Sequence, residues 1–150
     1  MDQTDLAMLL LLQNEGRLSV VDLAKRIHLS PPATHARLRR LEAEQTIRYA
    51  AIVDRQRVGF DLLCFVHVSL QTHQPEQVER IRRLLSQMPE ILECHHITGK
   101  HDYLLKVAVR NRAELEQFLV QRLTPVPGIG RLETSLALSE VKATTALPLD

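Results

Sequence analysis

The stretch Ser30-Pro-Pro-Ala-Thr-His-Ala-Arg-Leu-Arg-Arg-Leu-Glu42 decides the fold of the N-terminal part of this chain. Ser30 is a good helix N-cap, because its hydroxyl can accept a hydrogen bond from a free backbone N–H of the first turn. Pro31 suits the first helical position, where its fixed φ fits the helix and its missing N–H is not needed. The stretch therefore predicts a helix over residues 30–42.

The side chains of this helix fall on two faces. Leu38 and Leu41 are three residues apart and form an apolar edge. Arg37 and Arg40 have the same spacing on another face, beside small alanines, so their guanidinium groups could reach DNA phosphates or guanine edges. An arginine-rich helical face is more often simply solvated. The choice between a solvated face and a DNA-binding face therefore depends on the residues that precede the helix.

A second short helix is predicted just before it. Ser19 and Asp22 have the spacing of a capping box, and Leu23 and Ile27 repeat at i, i+4. Residues 28–30 then form a tight turn into the basic helix, which is the layout of a helix-turn-helix DNA-binding domain. An earlier leucine-rich helix that ends near residues 14–16 would close a three-helix core. The residues predicted to contact DNA are Lys25, Arg26, Ser30, Pro31, Thr34, His35, Arg37 and Arg40, with Arg37 and Arg40 foremost.

Composition and charge fit this reading. The chain has 150 residues, enough for one ordinary domain or two small ones, and 45% hydrophobic with 25% charged residues is typical of a globular protein. The net charge of +1 hides an asymmetry, since residues 17–57 hold nine Lys/Arg against four Asp/Glu, a balance of +5, and the remainder carries −4. A basic N-terminal segment favours binding to a polyanion.

Targeting signals and cysteines favour the cytoplasm. Acidic residues stand where a signal peptide would be basic, and the apolar run at residues 6–12 is too short to span a bilayer, so no membrane partner is expected. Cys64 and Cys94 lie in apolar, strand-like contexts and are predicted to be buried thiols, with a disulfide between them as the less favoured alternative.

The second half has a different periodicity. Strands are predicted at residues 63–70, 91–98, 103–109 and 129–141, and helices at residues 75–88 and 113–123. The order β-α-β-β-α-β is that of a ferredoxin-like domain, with both helices on one face of the sheet. The other face, with Phe65, Val107 and Leu136 in reach, would be buried by a second copy.

The predicted fold class is thus α+β, in four segments. Residues 1–47 form the helix-turn-helix domain, of the winged-helix type, and residues 48–61 form a linker whose segment 49–53 is a short strand that could pair with its twin. Residues 62–142 form the βαββαβ effector and dimerisation domain, and residues 143–150 form a C-terminal extension that is either packed or frayed.

The chain resembles the Lrp/AsnC (feast/famine) family of transcription regulators from Asp2 to about Lys142. The matching residues are Asp2, Asp5, Leu12, Gly16, Arg17, Ser19, Asp22, Leu23, Ala24, Leu29, Ser30, Arg37, Leu38, Leu41, Glu42, Glu93, Cys94, Gly99, Asp102, Tyr103, Pro127, Gly128, Glu140, Val141 and Lys142. The resemblance implies a homodimer that uses its sheets, assembly to a tetramer or octamer, and control by a small molecule, commonly an amino acid.

Three departures from the family pattern stand out. His28 replaces the usual Gly or Asn of the turn, a mild change because His tolerates the left-handed region better than most residues. His35 stands where an apolar residue is usual, and a semi-buried packing role is favoured for it over a base contact. The segment after the basic helix lacks the usual Gly, which leaves the orientation of the two domains open.

The resemblance also implies an effector site. In the family a Gly-x-x-Asp turn borders a cleft between neighbouring dimers, which here gives Thr98, Gly99, Asp102, Tyr103, Thr134 and Ser135. Asp102 would pair with the α-ammonium of an amino acid, and backbone N–H groups near Gly99 would bind its carboxylate. The alternative is a plain hairpin turn in which Gly99 supplies a positive φ and Asp102 caps it. Lys100 and His101 could face solvent instead of the site.

Three functions follow from these patterns. The leading hypothesis is a sequence-specific transcription regulator that binds double-stranded DNA, with no catalytic residues and no cofactor. The alternatives are an enzyme like the sirohaem decarboxylases, which have a similar two-part chain, and an effector-independent architectural protein of the nucleoid type. A metal site at Cys94, His95, His96 and His101 is disfavoured, because Cys94 and His96 share one side of a strand while His95 points to the opposite side.

Overall fold

The computed structural model describes residues 1–149, which form two compact units. The first unit comprises residues 1–52 with residues 141–149, and the second comprises residues 53–140. The first unit is helical, with α1 at Gln3–Asn14, α2 at Val20–Arg26 and α3 at Pro31–Ala43. The predicted three-helix arrangement is confirmed, and α3 is the predicted basic helix.

Each of these helices begins at a side-chain cap. Asp2 and Asp5 form a reciprocal capping box at α1, where the Asp5 N–H donates to Asp2 Oδ1 over 2.9 Å and the Asp2 N–H donates to Asp5 Oδ2 over 3.0 Å. Ser19 caps α2 and Ser30 caps α3 through their hydroxyl groups. His28, in the turn between α2 and α3, adopts a φ of 55°. His28 therefore adopts the left-handed backbone conformation that it was expected to tolerate.

The helices enclose a small apolar core, to which the C-terminal residues contribute. Its buried members are Met8, Leu9, Leu12, Leu23 and Leu41, and Leu149 packs against them. The Gln13 side-chain amide donates to the Leu147 carbonyl over 2.8 Å and accepts from the Leu147 N–H over 2.9 Å. Residues 48–53 form neither helix nor strand in the described chain, so their pairing with a twin stays a prediction.

The second unit is an α+β domain. Its elements are β1 at Leu62–Leu70, α4 at Pro75–Ser86, β2 at Ile91–His96, β3 at Tyr103–Val109, α5 at Arg112–Gln117 with a π-helical continuation at Phe118–Leu123, and β4 at Ile129–Leu136. The strands form one antiparallel sheet in the order β2-β3-β1-β4. The β-α-β-β-α-β order is confirmed, although β2 and β4 end earlier than residues 98 and 141.

One face of this sheet forms the core with the helices. Cys64, Val66 and Val68 of β1 alternate onto it and pack with residues such as Ile81 of α4 and Phe118. Val107 and Leu136 both pair with Cys64 and therefore lie on this face. Their placement on the open face was wrong, because face assignment depends on a register that the sequence does not display.

Phe65 pairs with Lys106 and Ser135 and does lie on the open face. Of the two cysteines, both free, Cys64 is buried as predicted but Cys94 is exposed near the sheet edge. No helix within residues 1–149 combines the length and apolar character needed to cross a membrane.

Candidate DNA-binding surface and ligand cavity

The inner side of α3 is set by the helical core. Thr34 is 0% exposed and Leu41 is 1% exposed, and Leu38 packs beside them. The Thr34 hydroxyl donates to the Ser30 carbonyl over 3.0 Å. Thr34, predicted to contact DNA, is therefore an inward-facing residue of the domain.

Arg37 and Arg40 are held by carboxylates of α1 and its cap. Arg37 Nη1 lies 2.6 Å from Asp2 Oδ2 and 2.9 Å from Asp5 Oδ1, and Arg40 Nη2 lies 2.6 Å from Asp5 Oδ2. The Asp5 side chain is 1% exposed, whereas those of Arg37 and Arg40 are 33% and 47% exposed. The two arginines predicted as foremost DNA contacts thus join α3 to α1.

The ionisation of Asp5 reflects this network. Burial alone would raise the pKa of Asp5, but hydrogen bonds from the Asp2 N–H and from Arg40 and Arg37 outweigh burial and lower the pKa to about 2. Asp5 is consequently ionised at neutral pH, when both guanidinium groups are also charged. These four groups form a charge-assisted cluster, which we call the α1–α3 acid network.

The outward face of α3 carries different residues. His35, Ala36 and Arg39 are all exposed, so His35 does not have the packing role that was favoured for it. Arg39 was not among the predicted contacts, and within the described residues it takes part in no salt bridge. The signal that could have found Arg39 is the period of 3.6 residues, because burial at positions 34, 38 and 41 leaves positions 35, 36 and 39 facing outward.

The remaining predicted contacts lie near the start of α3. Ser30 and Pro31 form its capped first turn. Arg26 is engaged by Glu15 through two hydrogen bonds of 2.5 and 3.0 Å, so it is less available to DNA than expected. Lys25 is exposed and only loosely paired, with its Nζ 3.7 Å from Asp22 Oδ1.

A cavity of about 530 Å³ lies in the second unit, between the start of α4 and the sheet. Its lining residues are Leu70, His73, Pro75, Val78, Glu79, Arg82, His96, Asp102 and Tyr103. Asp102 and Tyr103 were predicted as effector residues, and the structure brings them together here. The charged and aromatic groups contributed by α4 and β2 were missed, because an isolated Arg or His in an amphipathic element carries no sequence signal.

Asp102 has a structural role in this cavity. Its Oδ2 accepts from the Leu70 N–H over 2.7 Å, and its Oδ1 lies 2.8 Å from His73 Nε2. These two hydrogen bonds hold the pKa of Asp102 below its usual range, and the hydrogen bond from the Leu70 N–H has the larger effect. Gly99 has a φ of 110°, as the hairpin-turn reading expects.

Arg82, Tyr103 and His96 are in mutual contact in the lining of the cavity. Arg82 Nε donates to Tyr103 Oη over 2.8 Å, and the Tyr103 side chain is buried. The His96 ring stacks on the Tyr103 ring with centroids 5.1 Å apart and an angle of 29°. A fixed phenol therefore orients the guanidinium group at the cavity wall.

The other predicted effector residues lie outside this cavity. Thr98 and Gly99 belong to the turn after β2 and are not lining residues. Thr134 and Ser135 lie on β4, which is at the opposite edge of the sheet from β2, and they point to opposite faces. A role for these four residues in a cleft between subunits stays a prediction.

The turn residues Lys100 and His101 also differ from each other. Lys100 is exposed, but the His101 side chain is only 10% exposed, and its Nδ1 lies 3.0 Å from Ser69 Oγ. Within residues 1–149, no three His, Cys, Asp or Glu side chains are placed to hold a metal ion.

These features define a class of protein: a regulator with a helix-turn-helix domain joined to an α+β ligand-binding domain. Residues 1–42 match the AsnC-type helix-turn-helix domain, and residues 63–147 match the Lrp/AsnC ligand binding domain. The chain belongs to the Lrp/AsnC family.

Three relatives illustrate the match. The Bkd operon transcriptional regulator of Pseudomonas aeruginosa is 36% identical over 150 residues, covering 99% of this chain and 98% of its own. The leucine-responsive regulatory protein of Escherichia coli is 34% identical, with 98% and 90% covered. A transcriptional regulator from Neisseria meningitidis, solved as a complex with L-Met, is 33% identical with a TM-score of 0.95, covering 100% of this chain and 97% of its own.

Proposed function

We propose that this protein regulates transcription by binding double-stranded DNA through the outward face of α3, in response to an amino acid bound by its second unit. The observation that carries the proposal is that one side of α3 is fixed to α1 while the other side is exposed. The α1–α3 acid network holds the helix from behind, while small residues, His35 and Arg39 occupy the side away from the core. A helix with small outward side chains can approach base edges closely, and Arg39 has the geometry to bind guanine or phosphate.

A second copy would complete the DNA-binding unit. The open face of the sheet carries Phe65 and Leu104 among polar residues such as His67, Lys106 and Ser135, and a sheet face that leaves large apolar residues uncovered is commonly buried in a symmetric dimer. Two copies related by a two-fold axis would place two α3 helices in successive major grooves, about one helical turn apart. Further association to a tetramer or octamer, a cytoplasmic location and the absence of catalytic activity belong to the same proposal.

The amino-acid part rests on the relatives. The solved regulator from Neisseria meningitidis is a complex with L-Met and has nearly the same fold as this chain. The cavity beside Asp102 and Tyr103 offers charged and apolar walls of suitable size for a small zwitterion. Ligand binding raises apparent stability by mass action, so a thermal-shift screen against the twenty amino acids tests this part.

The DNA-binding surface is tested on an operator selected from random sequences with the wild-type protein. We expect Arg39→Ala to weaken binding at least about 10-fold and to reduce the salt dependence of the affinity, since one phosphate or base contact is lost. His35→Ala should relax preference at one base position. Arg57→Ala is the control, because Arg57 is an exposed arginine of the second unit.

Two outcomes would contradict this assignment. Wild-type affinity in both Arg39→Ala and His35→Ala would exclude the outward face of α3 as the reading surface. Failure to select any preferred sequence, together with periodic protection of long DNA, would favour an architectural role over a sequence-specific regulator.

A further inference from the structure

We infer that Arg82 is the receptor for the α-carboxylate of a neutral aliphatic L-amino acid, which is held with its ammonium group toward Asp102 and Glu79 and its side chain against Leu70, Pro75 and Val78. This inference rests on the proposed amino-acid response and names the ligand class and the orientation that the cavity selects.

The guanidinium group of Arg82 is oriented but not saturated. Its Nε donates to Tyr103 Oη over 2.8 Å, and within the described residues Arg82 makes no salt bridge. The donors on its two Nη atoms therefore stay available for a further acceptor. A planar fork of N–H groups matches a carboxylate bidentately, and an arginine already fixed by a buried phenol loses little side-chain entropy when the ligand arrives.

The cation side of the cavity is provided by two carboxylates. Asp102 uses one lone pair on each oxygen, for Leu70 N–H and for His73, and its pKa is lowered, so it is ionised and retains free acceptor sites. Glu79 lies one turn before Arg82 on α4 and is exposed at the cavity rim. An ammonium group bound between them would complement the carboxylate bound by Arg82.

The balance of charges selects against acidic ligands. Apart from its two histidines, the lining holds one arginine against two carboxylates, so a second carboxylate on the ligand would be repelled by Asp102 and Glu79. Of the remaining lining residues, Leu70, Pro75 and Val78 offer no polar side-chain atom to a ligand, and the hydroxyl of Tyr103 already accepts a hydrogen bond from Arg82. An aliphatic amino acid would place its charged groups against Arg82 and the two carboxylates and its side chain against the apolar residues, where a polar side chain would lose hydration without a partner.

The test is isothermal titration of the full-length protein with L-leucine, L-isoleucine, L-valine and L-methionine. For whichever amino acid binds, we also titrate its decarboxylated amine and its 2-oxo acid. We expect the amine to bind at least about 10-fold more weakly than the amino acid, because it lacks the carboxylate that Arg82 recognises. We expect Arg82→Gln to lower the affinity for the amino acid by a similar factor. Arg83→Gln is the matched control, since Arg83 is the neighbouring exposed arginine and does not line the cavity.

The outcomes separate this inference from the function on which it rests. If the wild type binds an amino acid and Arg82→Gln binds it equally well, or if the amine binds as well as the acid, the assignment of Arg82 is overturned. If the wild type binds none of the four amino acids, the inference falls, and a negative result with all twenty overturns the proposed response as well. Unchanged thermal unfolding and DNA binding of ligand-free Arg82→Gln exclude misfolding as the cause of any loss.

Discussion

Replacing Asp5 with Asn tests whether the α1–α3 acid network fixes α3. The asparagine is nearly the same size and can still accept from the Asp2 N–H, but it carries no charge for Arg37 and Arg40. Arg40 then loses the carboxylate 2.6 Å away, and Arg37 keeps only the exposed Asp2. The substitution therefore removes the charge at the centre of the network and leaves the helix cap in place.

The size of the effect follows from the pKa of Asp5. Its pKa falls from 3.8 to about 2 on folding, and a difference of about 1.8 units at 1.36 kcal/mol each corresponds to about 2.4 kcal/mol. Because Arg37 and Arg40 are partly exposed and the interaction is screened by solvent, we expect about 1–2 kcal/mol at neutral pH.

The pH dependence has a defined sign. The folded-state pKa of Asp5 lies below the unfolded value, so its stabilisation is fully present above the unfolded pKa of 3.8 and is lost as the pH falls through about 2. The stability difference between the wild type and Asp5→Asn should thus be constant from neutral pH to about pH 5, and should shrink below about pH 4.

Amide hydrogen exchange measures the effect locally. Peptides from α1 and α3 should open more readily in Asp5→Asn, whereas β3 of the second unit serves as an internal reference. Urea unfolding followed by circular dichroism gives the pH series, with Asp61→Asn, at an exposed aspartate, as the matched control. A loss below about 0.5 kcal/mol at neutral pH, or a loss that persists unchanged at about pH 3, would refute the reasoning.

Three further predictions concern packing and the C-terminal segment. Leu41→Ala should destabilise the helical unit by about 2–5 kcal/mol in urea unfolding, since Leu41 is fully packed; a loss below about 1 kcal/mol would contradict its core position. Gly128→Ala should destabilise the second unit by about 1 kcal/mol or more, because φ is +93° and a Cβ would lie 2.9 Å from Ile81 Cδ1; Gly16→Ala, with no such contact or φ, is the control. Gln13→Ala should speed hydrogen exchange at the Leu147 N–H, which loses its acceptor; equal protection would show that the contact is not formed in solution.

Local signals in the sequence predicted the helices well. Ser19 and Ser30 cap their helices because a capping hydroxyl and the N–H it serves are only three residues apart. Family resemblance and element order also predicted the antiparallel domain, since β1 shows the alternation of Cys64, Val66 and Val68 that a one-sided sheet requires.

The errors arose where a partner lies far along the chain. Arg37 and Asp5 are 32 residues apart, so nothing near Arg37 shows that its guanidinium group is engaged. Val107 was assigned to the wrong face because β3 is apolar almost throughout, and only its register with Cys64 shows which side it faces. Arg82 and Tyr103 likewise meet only after α4 packs on the sheet.

The basic charge of residues 17–57 is partly neutralised in the folded structure by acidic residues at the two ends of α1. Residues 17–57 are basic, but the acids that precede them fold back onto that segment: Asp2 and Asp5 engage Arg37 and Arg40, and Glu15 engages Arg26. Over residues 1–52, seven Lys/Arg face six Asp/Glu, which leaves +1. One copy therefore offers few unpaired cations to phosphate, and its non-specific affinity should be weak. Under the proposed function, tight binding requires base contacts on the outward face of α3 and several copies on one DNA, where each added domain raises the effective concentration of the next. In that proposal, weak single-domain binding makes the occupancy of DNA depend on the assembly of subunits, so that a ligand bound in the second unit controls occupancy without contacting DNA.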